Sequence, residues 1–295
     1  MSEKNGILIV NKPTGITSHD VVSKVRKIFE TKRVGHVGTL DPLASGVLVV
    51  LINDATKIAQ FLENDSKTYT GTICFGIATD SFDIDGNVLI DEKCDISEKE
   101  IDDCLKTFIG INEQKPPIYS AIKIDGKKLY EYARKDVEVE IPTRKVEIKR
   151  LERISPIIKS DKYCYFDFMA DVSKGTYIRS IINDISQKLS KPAVLTKLER
   201  TRSGLYNIED SHTLEEIGVG NYHLINLVDS LPFKKIDVSN DERLLRKIDN
   251  GMRLSINEFE EEIEYITFIK NDKMLAIYEL RSDDHKYYAA CRVWK

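Results

Sequence analysis

The stretch RVGHVGTLDPLASG at residues 33–46, followed by VLVVLI at residues 47–52, decides how the chain is organised. Its three glycines tolerate positive φ, and Pro42 keeps Asp41 out of the helical region, so this part is predicted to be a loop. The aliphatic run that follows is typical of a strand buried on both faces. A carboxylate loop fixed to such a strand is typical of an active site, although an Asp before Pro also caps ordinary turns.

The composition indicates a soluble globular protein. The 295 residues are 41% hydrophobic and 31% charged, enough for one large domain and a smaller one. The longest apolar run falls far short of the roughly 20 residues of a membrane helix, and the N-terminus lacks the features of a signal peptide. The five cysteines are scattered and form no Cys-x-x-Cys pair, which predicts neither disulfides nor a zinc site. We therefore expect a cytoplasmic protein.

Charge is segregated along the chain. The net charge of −4 alone argues against a nucleic-acid-binding protein. However, residues 1–40 carry seven basic against three acidic side chains, and residues 115–153 carry eleven against seven. Residues 80–104 carry two against ten. The basic segments could bind a phosphate backbone, and the acidic segment would then have to lie away from it.

Local patterns predict most of the secondary structure. A capping box from Thr17 to Asp20, followed by apolar residues at helical spacing, predicts a helix over residues 18–30. Lys12, in the turn before it, is interpreted as an ordinary surface lysine. Further patterns predict helices at residues 55–62, 97–108, 181–189, 213–217 and 244–250, and strands at residues 7–10, 67–75, 163–172, 265–269, 274–280 and 287–293.

Residues 81–92 come close to a calcium-binding loop, with two aspartates, a glycine and a glutamate at matching positions. However, Ser81 replaces the first carboxylate, and the preceding residues alternate like a strand instead of forming an entering helix. A turn between two strands is therefore the better interpretation.

Five motifs resemble, in order, those of the TruB-type tRNA pseudouridine-55 synthases. They lie at residues 11–22, 35–46, 67–69, 175–179 and 195–204, and the resemblance extends over essentially the whole chain. It implies an α+β fold in which a mixed, mainly antiparallel sheet borders a catalytic cleft. It also implies two domains, a catalytic one at residues 1–232 and a small β-rich, PUA-like one at residues 235–295.

The resemblance also assigns roles to individual residues. Asp41 would be the nucleophile, and Arg179 would hold it ionised through a potentially bidentate hydrogen bond. Four further side chains would contact the RNA or the extruded base: His36, Tyr69, Tyr177 and Leu198. Without the resemblance, a tyrosine in a strand would be ordinary packing, and an arginine at a helix start an ordinary salt bridge.

The implied reaction is isomerisation of uridine 55 in the T-loop of tRNA to pseudouridine, with the target base flipped out of the stack. No metal or cofactor is needed. The insertion at about residues 115–145 would clamp the RNA, since its basic residues alternate with tyrosines. The expected partner is the tRNA T-stem-loop, and a monomer without an obligate protein partner is expected. Glu199 stands where the family usually has Arg.

Two other functions fit parts of the sequence. A non-catalytic RNA-binding protein, such as a tRNA-folding chaperone, would use the same clamp without chemistry. A glycoside hydrolase would need two carboxylates flanking the bond. Only Asp41 lies in a motif, which counts against the hydrolase.

Overall fold

The computed structural model describes residues 4–62, 66–120, 122–133, 137, 139–282 and 286–294. The strands are β1 (Gly6–Lys12), β2 (Val34–Val37), β3 (Ala44–Ile52), β4 (Lys67–Phe75), β5 (Ile77–Thr79), β6 (Val88–Asp91), β7 (Gly110–Gln114), β8 (Lys123–Ile124), β9 (Lys127–Lys128), β10 (Arg144–Arg153), β11 (Ile158–Lys159), β12 (Cys164–Val172), β13 (Ala193–Ser203), β14 (Tyr206–Asn207), β15 (Lys234–Asp237), β16 (Leu254–Ser255), β17 (Tyr265–Lys270), β18 (Lys273–Ser282) and β19 (Lys286–Val293). The α-helices are α1 (Ser18–Ile28), α2 (Ala59–Leu62), α3 (Glu98–Lys106), α4 (Leu129–Ala133), α5 (Ile178–Leu189), α6 (Leu214–Gly218) and α7 (Glu242–Asp249).

The main sheet has the order β1-β3-β13-β4-β12-β10-β7, with β2, β11 and β14 paired beside this path. Its pairs are antiparallel except β13 with β3, which run parallel over residues 198–200 and 44–46. This parallel pair brings a distant strand against the exit of the loop that carries Asp41. The predicted α+β class with a mixed, mainly antiparallel sheet is confirmed.

Strand β3 is buried on both faces, as its sequence predicts. Leu48 and Val50 belong to the core that also contains apolar residues of α1, α3 and α5. Val47 and Val49 point the other way, into a second core shared with Ile277 of the C-terminal region. Alternation along a strand sends successive side chains to opposite faces, so a continuous apolar run is required where both faces are covered.

Helix α1 begins at the predicted cap. The Thr17 side chain accepts from the Asp20 backbone N–H, and the Asp20 carboxylate accepts in return from Thr17. The helix ends at Ile28, two residues before the predicted end. Glu30 there adopts a φ of 51°, which a helix cannot continue through.

The C-terminal region forms its own sheet in the order β15-β17-β18-β19-β16. The three predicted long strands are confirmed, and α7 covers the predicted helix. Strand β15 was not predicted, because Lys-Lys-Ile-Asp shows no apolar alternation. None of the helices in the described ranges is both long and apolar enough to cross a bilayer.

Residues 80–87 form the turn between β5 and β6, which confirms the interpretation preferred over a calcium loop. Asp83 in this turn makes an isolated bridge to Leu195 of β13. The turn is therefore folded back against the main sheet instead of extending into solvent.

Candidate active site

A cleft of about 550 Å³ lies beside the loop that joins β2 to β3. Four of the residues singled out in the sequence line it: Asp41, Tyr69, Tyr177 and Leu198. They come from four separate segments and converge because β13 lies between β3 and β4 in the sheet. Arg179 contacts Asp41 from behind, whereas His36 does not line this cleft.

Backbone contacts fix the Asp41 loop in place. The Ser18 hydroxyl, at the start of α1, donates to the Leu40 carbonyl at 3.0 Å and accepts from the Leu40 N–H at 2.9 Å. The Gly15 N–H donates to the Pro42 carbonyl at 2.8 Å. The loop is thus held on both sides of Asp41, which positions its carboxylate before any substrate arrives.

Arg200 links the two ends of the same loop. Its side chain is fully buried and donates from Nε to the Val47 carbonyl and from Nη2 to the Gly38 carbonyl, each at 2.7 Å. Gly46 is required beside it, since a Cβ there would lie 2.3 Å from the Arg200 carbonyl oxygen. Sequence reasoning missed this arginine, and its only signal was its position in the fifth motif.

Arg179 is the charge partner of Asp41. Its Nε lies 2.8 Å from Asp41 Oδ2, and its side chain is only 5% exposed. The potential second hydrogen bond to Asp41 is not formed, because Nη1 donates to the Ser81 carbonyl at 3.1 Å and Nη2 to the Tyr119 carbonyl at 2.8 Å. All three nitrogens are thus engaged, so the guanidinium orients Asp41 through one contact from a fixed frame.

Asp83 is a second carboxylate on the same arginine, and the sequence did not single it out for this role. Its Oδ2 lies 3.6 Å from Arg179 Nε, and its Oδ1 accepts from the Ser81 hydroxyl at 2.6 Å. Burial raises the pKa of Asp83, opposed by the hydrogen bond from Ser81 and the charge of Arg179. Asp83 therefore approaches Arg179 Nε together with Asp41 and helps to hold the guanidinium in place.

Lys12 is not the surface lysine that the sequence suggested. It is fully buried, and its Nζ donates to the Ile16 carbonyl at 2.7 Å and the Pro13 carbonyl at 2.9 Å. Burial lowers the pKa of Lys12 to about 8, which the nearby Asp41 carboxylate partly offsets. The lysine closes the turn that precedes α1, which no local pattern signals.

Tyr177, two residues before Arg179, is held in place through its backbone by Gln114. Its backbone N–H donates to Gln114 Oε1 at 2.8 Å, and Gln114 Nε2 donates to its carbonyl at 3.1 Å. Burial raises the pKa of Tyr177, so the hydroxyl stays protonated near neutral pH. Arg144 lies over the ring, 5.9 Å from its centroid.

Tyr69 and Leu198 form an apolar wall of the cleft. Each is 8% exposed. Tyr69 stands opposite Ala170 in the sheet register, and Leu198 opposite Gly71 and Ala44. A flat base has an aromatic ring and an aliphatic side chain to pack against here.

His36 lies on β2, outside the cleft. Its Nε2 is 3.2 Å from the Thr39 hydroxyl. Burial, with the charges of Arg200 and His19, lowers the pKa of His36, so the ring is neutral near pH 7. Thr39 does line the cleft, which places the imidazole at its margin.

Basic side chains surround the cleft mouth. Lys145 and Lys174 line it together with Arg144. Within the described residues, no salt bridge engages Arg144 or Lys145. An anionic backbone could therefore approach the cleft along this side.

A known family profile and known proteins are similar to this chain over most of its length. The profile of the TruB family pseudouridylate synthase N-terminal domain matches residues 26–178. The tRNA pseudouridine synthase B of Staphylococcus saprophyticus is 44% identical over 288 residues, which cover 93% of this chain and 94% of that protein. The tRNA pseudouridine synthase B of Bacillus pumilus is 42% identical over 289 residues, which cover 93% and 92%.

The chain belongs to the TruB family of pseudouridylate synthases. It is therefore an enzyme that isomerises uridine in RNA to pseudouridine, as the five motifs predicted. The fold agrees. A solved Cbf5-Nop10-Gar1 complex contains a chain that superposes with a TM-score of 0.69 at 23% identity, covering 100% of this chain and 85% of that one.

A second solved structure, of an H/ACA RNP bound to a substrate RNA, gives a TM-score of 0.68 at 23% identity and covers 98% of this chain and 84% of that one. These two likenesses extend the agreement in fold to almost the full length of this TruB-family chain.

Proposed function

We propose that this chain converts uridine 55 in the T-loop of tRNA to pseudouridine, with Asp41 as the nucleophile. The relatives at 42–44% identity bear the name tRNA pseudouridine synthase B, and the match spans nearly their whole length. They support tRNA as the substrate. The motif around Asp41 supports the specific uridine.

The contact between Asp41 and Arg179, at the edge of a cleft of about 550 Å³, carries the proposal. The reaction breaks the bond from uracil N1 to ribose C1′, turns the base, joins C5 to C1′ and releases the C5 proton, while N1 takes up a proton. Asp41 must act on the ribose as a carboxylate, whether it attacks C1′ or removes a proton. Arg179 orients that carboxylate and stabilises its charge.

The target nucleotide must leave the RNA stack, since a side chain cannot reach C1′ or C5 in a folded loop. Tyr69 and Leu198 would hold the flipped base between them, and the Tyr177 hydroxyl would line its pocket. His36, at the cleft margin, would pack against the RNA where the base departs. A neutral imidazole suits this stacking role.

The regions around the cleft are given roles in the same proposal. Residues 1–232 form the catalytic domain, within which residues 115–145 clamp the T-stem-loop. Residues 235–295 form the PUA-like domain. The enzyme would act as a monomer in the cytoplasm, on tRNA alone and without a cofactor.

The position of Asp83 bears on the hydrolase alternative. A glycoside hydrolase places two carboxylates on either side of the bond. Asp83 and Asp41 both contact Arg179, but only Asp41 lines the cleft. The two carboxylates approach the same nitrogen, Arg179 Nε, at 2.8 and 3.6 Å instead of facing each other across the cleft, which counts against a hydrolase.

The test is tritium release from a tRNA transcript labelled at uridine C5, with wild-type enzyme and Asp41→Asn. We expect release by the wild type and a loss of at least about 10³-fold in the variant, because the amide cannot act as a nucleophile or base. Binding of the tRNA by both proteins, measured separately, controls for folding.

Three results would contradict the proposal. Release by Asp41→Asn at the wild-type rate would remove Asp41 from the chemistry. Tight tRNA binding by a wild type that releases no tritium would favour the chaperone. Free uracil among the products would instead indicate a hydrolase.

A further inference from the structure

Ser120 is a buried residue that lines the catalytic cleft. It lies between β7 and β8, is 6% exposed and shares the cleft with Asp41, Tyr69 and Tyr177. Among the described residues, Ser120 Oγ has no hydrogen-bond partner, and the nearby Tyr177 hydroxyl is not in hydrogen-bond geometry with it. A buried hydroxyl without a partner is unfavourable, and native proteins tolerate few of them. The hydroxyl is therefore free to bind a group of the substrate.

Its position distinguishes Ser120 from the other unpaired atoms. Within the described ranges of the chain, three further buried side-chain atoms have no partner: Arg26 Nε, Tyr278 Oη and Trp294 Nε1. None of these three residues lines the cleft. Of the four atoms, only the Ser120 hydroxyl thus combines an unused donor with a place in the wall of the candidate active site.

The backbone of Ser120 is fixed relative to Asp41. The Ser120 N–H donates to the Ile118 carbonyl at 3.0 Å. The preceding carbonyl, of Tyr119, accepts from Arg179 Nη2 at 2.8 Å. Arg179 Nε in turn contacts Asp41 Oδ2 at 2.8 Å. The Ser120 Cβ therefore keeps its place in the cleft wall, whereas the hydroxyl turns on one bond and reaches a base in the cleft by a change of rotamer.

We propose that the Ser120 hydroxyl donates a hydrogen bond to a carbonyl oxygen of the flipped uracil and stabilises the charge that develops there during the reaction. This inference rests on the proposed function, because it requires a target uridine in the cleft. Tyr69 and Leu198 would pack on the faces of the base, so its edge is left for polar contacts. Arg179 does not supply them, since all three of its nitrogens are engaged.

The bond that breaks explains why a donor is useful at this edge. When uracil N1 separates from ribose C1′, both electrons of the bond stay with the base, and the negative charge is shared by N1, O2 and O4. A hydroxyl donor at O2 or O4 therefore binds more strongly in the transition state than in the starting complex. Once C5 has joined C1′ and lost its proton, and N1 has taken up a proton, the base is neutral again.

The experiment uses synthetic T-arm stem-loop RNAs with uridine, 2-thiouridine or 4-thiouridine as the target. Sulfur accepts hydrogen bonds more weakly than oxygen does, so each thio base removes one possible partner of the hydroxyl. Wild type, Ser120→Ala and Ser230→Ala each convert the three RNAs in single turnovers at saturating enzyme, and the products are quantified as nucleosides after digestion. Ser230 is the matched control, since it is fully buried, does not line the cleft, and its Oγ donates to the Leu227 carbonyl at 2.6 Å.

With uridine as the target, we expect Ser120→Ala to slow conversion about 10-fold, while RNA affinity changes less than about 2-fold. With one of the two thio bases, the same substitution should slow conversion less than about 3-fold, because the contacted oxygen is already absent. Ser230→Ala should convert all three RNAs at the wild-type rates. In urea, Ser120→Ala should unfold at the wild-type midpoint or above it, since it loses no hydrogen bond, whereas Ser230→Ala should unfold at a lower urea concentration.

Wild-type conversion rates in Ser120→Ala would overturn the inference. A loss of equal size on all three RNAs would also overturn it, because Ser120 would then contact neither carbonyl. A lowered urea midpoint together with that equal loss would assign Ser120 to the packing of the cleft wall. In each of these cases, conversion of uridine by the wild type leaves the proposed function standing. A wild type that converts no uridine would instead reject the proposed function itself.

Discussion

The two sheets of the molecule bury different kinds of side chain. The main sheet and the elements packed on it bury four cations, Lys12, Lys67, Arg179 and Arg200, of which Lys12, Arg179 and Arg200 donate to backbone carbonyls. The C-terminal sheet instead buries aromatic side chains such as Phe268 and Tyr278. Within its described residues it buries no charged side chain.

This difference shows that buried aromatic side chains mainly stabilise the fold, whereas buried cations mainly position the loops around the cleft. Burial of aromatic side chains contributes about 25 cal/mol of stability per Å² of apolar area, and it is not directional, so it constrains the positions of neighbouring groups only weakly. A buried cation costs several kcal/mol of desolvation and is tolerated only where it is well hydrogen-bonded. Apart from that of Val47 in β3, the carbonyls that Lys12, Arg179 and Arg200 satisfy belong to loops, where no neighbouring strand can pair with them. Buried charge therefore marks the segments whose geometry matters for catalysis.

The largest effect is expected for Arg200→Met. The substitution leaves the carbonyls of Gly38 and Val47 without their buried donor, which costs about 3–5 kcal/mol of unfolding free energy. Urea denaturation measures this loss. Arg200→Lys should recover only part of it, because an ammonium cannot span both carbonyls as the guanidinium does.

The matched arginine of the C-terminal region is Arg253, which precedes β16. It is exposed and stacks on Tyr287, 4.2 Å from the ring centroid. Arg253→Ala should cost no more than about 1 kcal/mol. Equal losses for the Arg200 and Arg253 variants would remove the distinction between the two sheets.

The next effect is on catalysis. Arg179→Lys should lower kcat for tritium release by about 10²-fold, because a lysine cannot contact Asp41 while also engaging Ser81 and Tyr119. KM should change less than kcat, since the guanidinium lies behind Asp41 and not across the cleft.

Asp83→Asn tests whether Asp83 acts through Arg179. The amide keeps the shape of the side chain but removes its charge, so we expect a smaller loss of kcat, about 10-fold. If Asp83→Asn lowers kcat by the same factor in the wild type and in the Arg179→Lys variant, the two residues act independently.

The sequence predicts local structure well where the signal is local. The cap at Thr17 and the alternation of residues 67–75 each depend on neighbours within a few positions, and both elements form as predicted. The contact between Asp41 and Arg179 spans 138 positions. Only the resemblance to a family predicted it, because no periodicity links such distant residues.

The burial of Lys12, Asp83 and Arg200 could not be predicted in the same way. Each is buried by strands or turns far away in sequence, such as the parallel approach of β13 to β3. Asp83 in particular lies in a stretch that reads locally as an exposed acidic turn. A buried polar residue is specified by the carbonyls that a fold leaves unpaired, and these are known only once the strands are placed.

A further test of the comparison uses the pH dependence of stability with Lys12→Met. Burial lowers the pKa of Lys12 from 10.5 to about 8. Between these values the unfolded chain binds more protons than the folded one, so raising the pH stabilises the wild type. Relative to Lys12→Met, the wild type should gain up to about 3 kcal/mol from pH 8 to 10.5. A pH-independent difference would show that the folded state does not perturb this lysine.

The smallest effect is expected in the C-terminal region, at Glu258. Its carboxylate accepts from the Ser255 backbone N–H at 3.0 Å and from Lys247 Nζ at 2.9 Å. Burial works to raise the pKa of Glu258, but the hydrogen bond from Lys247 and the other contacts outweigh it and hold the pKa below 4.5. The stabilisation is therefore present above pH 4.5 and is lost as the pH falls through the folded pKa. Glu258→Gln should lower the free energy of unfolding by about 1 kcal/mol at pH 7 and by less in acid. A loss larger than that of Arg200→Met would show that the C-terminal sheet, and not the main sheet, depends more on its charged side chains.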